Sequence, residues 1–391
     1  MIELIVDKSK DTKIIAAVEN GKLVEIYEEN EQSKKARNEG NIYLGIVKDI
    51  VPGMQAAFVD IGTEKNSFIH VKDVVPQVDE KIEKKIDTKI KDVIKEGQKI
   101  LVQIQKDSND KKGARTSTHI KLTGKYIVLM PNTNIVTISQ KIEDEKEKER
   151  LLKIIKEALP ENIGAIVRTA AVKKSEKELN GDLEQLLNNW EKIKEKYNKS
   201  NKKPELLYKS PSIVEKIILD LPENRIEKIV INDKKEYEEI KEMLQEMKEN
   251  IKIEMQQDML EKYELEKQIE KSKQRKIWLN CGGFITIDQT EALVAIDVNS
   301  GKFTGKSTLE ETVYKVNYEA TIEIAKQLRL RDIGGIIIID YIDMQKEENK
   351  EKIEKLLKES LKQDRAKTQV EGFTKLNLME LTRKHICSHN I

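Results

Sequence analysis

Two pieces of the sequence decide the fold: GGFITIDQTEALVAIDVNSGK at 282–302 and GGIIIIDYIDM at 334–344. In the first piece, apolar residues alternate over 284–288 and again over 292–298. Alternation with a period of two is typical of strands, and the short break Gln289-Thr290-Glu291 between them suits a tight turn. The sequence therefore predicts a β-hairpin here.

A helix is predicted between the two pieces. Apolar residues recur every three or four positions, at Leu309, Val313, Val316, Ala320, Ile324 and Leu328. Thr308 and Glu311 are spaced as a capping box, and Gly334-Gly335 stops the helix. The β-branched run 336–339 then predicts a strand buried on both faces. A strand, a helix and a second strand in this order form a right-handed crossover, which brings the carboxyl ends of two parallel strands to one edge of the sheet.

Asp297 and Asp340 are predicted at these two strand ends. Neighbouring strands lie about 4.8 Å apart, so carboxylates at the two ends can share one cation. Asn299 follows Asp297 by two residues and points to the same face. Oxygen ligands with no His or Cys beside them suit Mg²⁺ completed by water and substrate phosphate. Pattern alone leaves an alternative open, in which both acids only cap strand ends and bind loop amides.

The wording of both pieces closely resembles the catalytic subdomain of the ribonuclease E/G family of bacterial endoribonucleases. The matching runs are 287–294, 296–301, 329–335 and 339–344. The resemblance implies that Asp297 and Asp340 bind a catalytic Mg²⁺ and that Asn299 supports them, so all three are predicted catalytic residues. It also implies a DNase-I-like α/β catalytic subdomain over 273–391, in a short, ribonuclease G-like form of the family.

Composition gives the chain no overall nucleic-acid signature. Lys and Arg number 71 and Asp and Glu 70, so the net charge is +1 and any basic surface is local. The sequence has no signal peptide and no run of about 18 apolar residues, so no membrane association is expected. Two cysteines, Cys281 and Cys387, argue against a disulfide framework. A multidomain, cytoplasmic protein of the α/β class is predicted.

The first thirty residues alternate in hydrophobicity around Asn20-Gly21, which is a type I′ hairpin signal, and they open a predicted segment over 1–37. The segment is too short to fold alone. The resemblance implies that it pairs with 204–272, where 227–232 is predicted as a strand, to complete a ribonuclease-H-like subdomain. Two regions are inserted between these parts, an S1-type barrel and a 5′-sensor region.

Residues 38–124 are predicted to form that barrel, interrupted by a charged insertion at 79–96. The predicted strands are 42–47, 55–61, 67–71, 99–105 and a last one near 119–122. Five short strands with Gly and Pro turns fit an OB-type fold. The segment is similar to S1-type RNA-binding domains.

Phe58 and Phe68 are the candidate RNA-binding residues of the barrel. Pattern alone favours burial of both rings in the core, because buried Phe is the commoner case. The resemblance instead implies that Phe58, Phe68 and Lys112 form a surface pocket for single-stranded RNA. In such a pocket, bases stack on the rings and the ammonium meets phosphate. The pocket is our prediction.

Residues 125–203 contain a candidate 5′-phosphate site. A predicted strand ends in Arg168 and Thr169, whose guanidinium fork and hydroxyl can hold a terminal phosphate. Arg-Thr alone is more typical of a surface salt bridge, but the resemblance implies that Arg168, Thr169 and the backbone of Val128 sense a 5′-monophosphate. Lys367 stands where the family has an arginine and completes the predicted site, although Lys keeps the charge without the fork.

Two further segments carry predictions. Residues 190–211 are rich in Lys and Asn, and we expect an exposed connection. The motif His385-x-Cys387-x-His389 offers three soft ligands where a closed zinc site needs four, so no zinc is expected. Many family members share zinc between subunits through a Cys-Pro-x-Cys pair that this sequence does not show, so any homodimer is expected to lack a zinc link.

The leading hypothesis is a Mg²⁺-dependent endoribonuclease. The resemblance implies that it cleaves single-stranded AU-rich RNA, favours 5′-monophosphorylated ends, and acts in rRNA maturation and mRNA turnover. The alternative is a non-catalytic RNA-binding scaffold of the same architecture. An acidic cluster repels phosphate and is of no use to a pure binder, which favours the enzyme. A DNA-cutting nuclease is disfavoured by the S1-type barrel.

Overall fold

A computed structural model gives the fold of residues 1–8, 12–30, 38–74, 88–108, 112–200, 203–221, 225–247, 250–301 and 308–386. The chain forms two compact units. The first unit combines residues 1–33 with 223–391, and the second spans 34–222. Among the described residues, no helix is long and apolar enough to cross a membrane.

The first unit begins with three antiparallel strands, β1 (Ile2–Asp7), β2 (Thr12–Glu19) and β3 (Lys22–Asn30). β2 and β3 meet at Asn20-Gly21, where φ is 52° and 73°. A type I′ turn requires positive φ at both central residues, and Asn-Gly tolerates it best. The predicted hairpin is therefore confirmed.

The second unit contains a closed five-stranded barrel. Its strands are β4 (Ile42–Val51), β5 (Ala56–Asp60), β6 (Ser67–His70), β7 (Lys99–Lys106) and β8 (Arg115–Ser117), with the short helix α1 (Ile90–Val93) before β7. They pair in the order β4, β5, β6, β8, β7, and β7 pairs back to β4. Buried apolar side chains such as Val59, Ile69 and Val102 fill the interior. The closed barrel confirms the predicted architecture.

The position of the last barrel strand differs from the prediction. It is expected near 119–122, but β8 lies earlier, and Ile120 joins a different core. In β8, Thr116 is buried and donates to the Phe68 carbonyl oxygen at 3.2 Å. Because the interior side of this strand is polar and hydrogen-bonded, hydrophobic alternation cannot reveal it. Of the insertion predicted at 79–96, residues 79–87 lie outside the described residues.

The rest of the second unit is a four-stranded sheet with helices packed against it. The elements are β9 (Leu122–Thr123), β10 (Ile127–Met130), β11 (Val136–Ile138), α2 (Glu145–Ala158), β12 (Gly164–Val167), α3 (Glu176–Lys199), β13 (Glu205–Tyr208) and α4 (Ile213–Asp220). The sheet order is β11, β12, β10, β9, and α2 and α3 contact it. β13 instead pairs with β4.

The connection predicted at 190–211 is wrong for most of its length. α3 continues to Lys199, and Trp190 and Ile193 are buried on its inner side. The helix starts at a capping box, in which the Ser175 N–H donates to Glu178 Oε2 at 2.8 Å. The Lys and Asn residues that suggest a loop are the solvent side of this helix, so composition alone misassigns the segment.

The first unit resumes with β14 (Ile226–Ile231), α5 (Lys234–Glu246), β15 (Lys252–Met255), α6 (Met259–Lys262) and α7 (Leu265–Ser272). β14 pairs with β1 in parallel, with Ile229 opposite Leu4. The resulting sheet has the order β15, β14, β1, β2, β3. The opening strands therefore pair with a strand inside 204–272, as expected.

The remaining elements of the first unit form a six-stranded sheet. They are β16 (Lys276–Trp278), β17 (Phe284–Gln289), β18 (Val294–Asn299), α8 (Leu309–Leu330), β19 (Gly335–Asp340), α9 (Glu347–Leu361), β20 (Thr368–Phe373) and β21 (Leu378–Arg383). The order is β16, β17, β18, β19, β21, β20. Thr308 Oγ1 accepts the Glu311 N–H at 3.3 Å at the start of α8. The predicted hairpin, helix and parallel crossover are confirmed.

The strand 336–339 is buried on one face, so the prediction of burial on both faces is wrong. Ile337 and Ile339 are fully buried in the core formed with α8 and α9, whereas Ile336 is 52% exposed. Ile336 and Asp340 point to the side of the sheet opposite that core, which we call the open face. The sequence does not distinguish the buried face of this strand from the exposed face, because Ile occupies positions on both.

Candidate active site and RNA-binding surfaces

The parallel pairing of β18 and β19 places Asp297 directly opposite Asp340. Both side chains are exposed on the open face. Asn299, two residues further along β18, donates from Nδ2 to Asp297 Oδ2 at 2.6 Å. The structure thus brings together the three residues predicted to be catalytic, and the amide of Asn299 fixes the orientation of one carboxylate.

Asp288 lies on the same face, but its carboxylate is paired with an arginine. Arg275 donates from Nε and Nη2 to the two carboxylate oxygens of Asp288 at 2.5 and 2.6 Å. This hydrogen bonding lowers the pKa of Asp288. It also raises the pKa of Arg275, and the nearby negative charge of Asp297 adds to that rise. Asp288 is therefore committed to an ion pair, whereas Asp297 and Asp340 face solvent.

The donor set at Asp297 and Asp340 fits a hard divalent cation. Two carboxylates on adjoining strands and one amide oxygen are ligands that Mg²⁺ accepts, with water and phosphate filling the other positions. Within the described ranges, no group of three or more His, Cys, Asp or Glu is arranged to hold a metal. The site therefore offers two carboxylates and one amide among the described residues.

In the barrel, Phe58 of β5 is paired with Phe68 of β6. The two rings meet edge to face, with centroids 6.1 Å apart and planes at 68°. Both are half-buried, while their strand neighbours Val59 and Ile69 are fully buried. The rings therefore lie outside the barrel interior, on the surface side of β5 and β6.

Lys112 lies in the segment that leads into β8, two residues before Ala114. It is exposed, and the Ala114 carbonyl oxygen accepts the backbone N–H of Phe68 at 2.7 Å. Gly113 is required between them, because an added Cβ would stand 1.9 Å from the Asn66 carbonyl oxygen. The hydrogen bond between Phe68 and Ala114 brings the chain that carries Lys112 past the start of β6.

Arg168 follows β12, and its guanidinium is held by Gly124, Leu219 and Asp220. Its Nη1 donates to the Gly124 carbonyl oxygen at 2.6 Å, and its Nη2 forms an ion pair with Asp220. Its backbone N–H donates to the Tyr126 carbonyl oxygen, which places it beside β10. Sequence reasoning missed Asp220, since a contact between positions 52 residues apart leaves no local pattern.

The other predicted 5′-phosphate residues are placed as follows. Thr169 is exposed next to Arg168, and Val128 is paired with Ile166, two positions before Arg168. Val128, Arg168 and Thr169 therefore lie near one end of the two central strands, β10 and β12. Lys367 belongs to the first unit, where it lines a cavity of about 400 Å³ together with Lys384.

Asp182 of α3 shapes the loop beside Arg168. Its carboxylate accepts the backbone N–H groups of Lys125, Tyr126 and Ile127 at 2.9 to 3.0 Å. Burial raises the pKa of Asp182, against the opposing effect of these hydrogen bonds. A Cβ at position 124 would lie 2.6 Å from Asp182 Oδ1, so any other residue there would displace this hydrogen-bonded carboxylate. Sequence reasoning missed Asp182, which is one acid among many on a charged helix.

Comparison with known proteins finds family matches in both units of the chain. Residues 37–119 match the S1 RNA binding domain, and residues 121–386 match the Ribonuclease E/G family. The chain is 37% identical over 391 residues to Ribonuclease G of Escherichia coli strain K12, covering 98% of this chain and 79% of that protein. It is 39% identical to Ribonuclease G of Haemophilus influenzae, with the same coverage. Ribonuclease E of Buchnera aphidicola is 36% identical over 96% of this chain and 39% of its own length.

The S1 barrel defines the chain as an RNA-binding protein. The chain belongs to the Ribonuclease E/G family, the endoribonuclease family that its motifs resemble.

Proposed function

We propose that this protein is a Mg²⁺-dependent endoribonuclease that cleaves single-stranded RNA at Asp297 and Asp340. The observation that carries the proposal is the direct pairing of these two acids at adjoining strand ends, on a face that α8 and α9 leave uncovered. The relatives named Ribonuclease G support the same activity.

Each residue of the centre has a distinct role in the proposal. Asp297 and Asp340 would hold the cation, and Asn299 orients the Asp297 carboxylate through their 2.6 Å hydrogen bond. A bound Mg²⁺ supplies an activated water and offsets charge on the phosphate in the transition state. Cleavage leaves a 3′-hydroxyl and a 5′-phosphate. Phe58 and Phe68, with Lys112, hold the RNA on the barrel by stacking and charge.

The substrate class follows from the family and from the sensor geometry. We propose AU-rich single strands from messenger RNA and ribosomal RNA precursors, in mRNA turnover and rRNA maturation. Arg168, Thr169 and the backbone of Val128 bind a 5′-monophosphate within the second unit. The carboxylate of Asp220 already pairs with Arg168, so a terminal phosphate must compete with it, and a modest preference is expected.

The architecture is proposed to follow the family as well. In this proposal, the five-stranded sheet of the first unit, formed by β1, β2 and β3 with β14 and β15, is the core of the ribonuclease-H-like subdomain predicted from 1–37 and 204–272. Its six-stranded sheet, over 273–391, is the DNase-I-like catalytic subdomain. The mixed parallel and antiparallel order of both sheets supports these assignments.

The test is incubation of an end-labelled, 5′-monophosphorylated AU-rich oligoribonucleotide with the protein, in Mg²⁺ or in EDTA. Internal cleavage in Mg²⁺ alone is expected. The alternative function is a non-catalytic RNA-binding scaffold, which the S1 barrel by itself would serve equally well. RNA that is retarded on a native gel but uncut in Mg²⁺ would favour the scaffold over the enzyme.

A further inference from the structure

An exposed tryptophan lies beside the acidic pair on the open face. Trp278 ends the edge strand β16 with 60% of its surface exposed. Its ring meets Phe284 edge to face, with centroids 5.3 Å apart and planes at 61°. Exposed apolar surface rimmed by polar groups often marks a place where a ligand binds.

Strand register places this aromatic pair next to the residues proposed to hold the cation. Trp278 is paired with Phe284, and Phe284 is paired with Asn299. The three residues form one row across the open face, two positions along the strands from Asp297. With strands about 4.8 Å apart, Trp278 lies roughly 10 Å from Asn299. At about 3.4 Å per stacked nucleotide, this distance spans about three nucleotides.

Lys276 adds a positive charge to the same surface. Its ammonium lies 3.6 Å from the Phe284 ring centroid and 4.2 Å from the Trp278 ring centroid. Lys276 is paired with Thr286, which is paired with Asp297, so this lysine lies in the row of the acidic pair. An aromatic ring beside a fixed cation suits single-stranded nucleic acid, because the ring stacks a base and the cation meets a phosphate.

We propose that Trp278, supported by Phe284 and Lys276, is a stacking subsite for a base close to the scissile phosphate of single-stranded RNA. The proposal rests on the proposed function, since the RNA must cross the open face to reach Asp297. The cation beside the ring and the continuity with the acidic pair identify RNA as the occupant. Every base has a π-face, so the subsite positions the strand and selects sequence only weakly.

The test measures RNA binding in EDTA with 2-aminopurine placed in turn at each position of an AU-rich oligoribonucleotide. Stacking on an indole quenches the fluorescence of this base. We expect quenching at one or two positions to disappear in Trp278→Ala, with RNA affinity about 5-fold to 150-fold weaker. Trp278→Phe should keep most of the affinity, because a phenyl ring still stacks.

Two controls separate stacking from folding. Trp278→Leu keeps an apolar side chain without an aromatic face and should behave like Trp278→Ala. Tyr318→Ala removes another exposed aromatic of the first unit, 41% exposed on α8, and should change neither quenching nor affinity. Thermal melting of every variant should match that of the unaltered protein, because Trp278 is largely exposed.

Cleavage in Mg²⁺ on the same RNAs separates this inference from the proposed function. If the unaltered protein cleaves RNA while Trp278→Ala and Trp278→Leu bind and quench normally, the subsite is wrong and the enzyme assignment stands. If quenching depends on Trp278 but no protein cleaves, the proposed function is wrong and the stacking contact stands. Variants that alter only self-association would show that the ring meets a second copy of the chain, which also overturns the subsite.

Discussion

At the scale of single residues, the ion pair between Arg168 and Asp220 bears on the proposed binding of a 5′-phosphate. A charge-assisted hydrogen bond contributes about 1.5 to 3 kcal/mol, which corresponds to a rate preference of about tenfold to a hundredfold. Because Asp220 competes for the guanidinium, we expect the lower end of that range for a 5′-monophosphorylated RNA over its 5′-hydroxyl twin. Cleavage rates of the two RNAs measure it.

Two variants test this account of the 5′ end. Arg168→Ala should erase the preference by slowing only the monophosphorylated RNA, and Asp220→Asn should enlarge the preference by freeing the guanidinium. Equal rates for both RNAs with the unaltered protein would show that Arg168 does not sense phosphate.

Phe58 and Phe68 give the second prediction. Both rings lie outside the barrel interior, so replacement by Ala should weaken RNA binding by about 1 to 3 kcal/mol with little change in melting temperature. Ile69→Ala is the matched control, because Ile69 is fully buried beside Phe68. It should cost about 2 to 5 kcal/mol of folding stability. A Phe68→Ala protein that melts like Ile69→Ala but binds RNA normally when folded would place the ring in the core.

At the scale of elements, Arg383 fixes the last strand of the six-stranded sheet. It is buried at the end of β21, and donates from Nε to Asp364 Oδ2 and from Nη1 to Asp332 Oδ1, both at 2.7 Å. Asp332 lies in the turn between α8 and β19, and Asp364 lies between α9 and β20. One guanidinium therefore ties three segments of the sheet together.

Replacing Arg383 with Leu should lower the free energy of unfolding by about 3 to 5 kcal/mol, because two buried carboxylates lose their counter-charge. Urea unfolding of the full chain measures the loss. Arg275→Leu is the control, since its pair with Asp288 is exposed to solvent and should contribute far less to stability. Similar losses in both variants would contradict the role given to burial.

The elements also show which parts of the fold the sequence can predict. α8 follows directly from apolar spacing, and the parallel crossover of β18 and β19 follows from the order of strand, helix and strand. β8 is not predictable in this way, because buried Thr116 is satisfied by hydrogen bonds that form only in the closed barrel. The later turns of α3 are not predicted either, because their Lys and Asn residues have the composition of a loop when burial is unknown.

The candidate site divides in the same manner. The approach of Asp297 to Asp340 can be predicted, because it depends on strand order and periodicity alone. The pairing of Arg168 with Asp220 cannot, because it joins segments whose relation depends on packing. The position of Trp278 on the open face cannot be predicted for a further reason. An isolated aromatic residue in a short strand gives no sign of whether it faces the core or the open face.

At the scale of the whole molecule, the net charge of +1 means that attraction to RNA must come from local surfaces. The proposed RNA contacts include exposed lysines, Lys112 in the second unit and Lys276 in the first. The acids at Asp297 and Asp340 oppose binding of phosphate unless a cation lies between. A centre of this kind is useful for cleavage and unfavourable for simple binding.

The central claim is that Asp297 and Asp340 hold the cation that cleaves RNA, and Asp297→Asn tests it most directly. The measurement is the single-turnover cleavage rate of an AU-rich oligoribonucleotide in Mg²⁺, beside RNA affinity in EDTA. Glu380→Gln is the control, because Glu380 is an exposed acid on the same face, opposite Ile338. We predict that Asp297→Asn abolishes cleavage and binds RNA as well as or slightly better than the unaltered protein, while Glu380→Gln cleaves normally. Near-normal cleavage by Asp297→Asn at ordinary Mg²⁺ would contradict the claim.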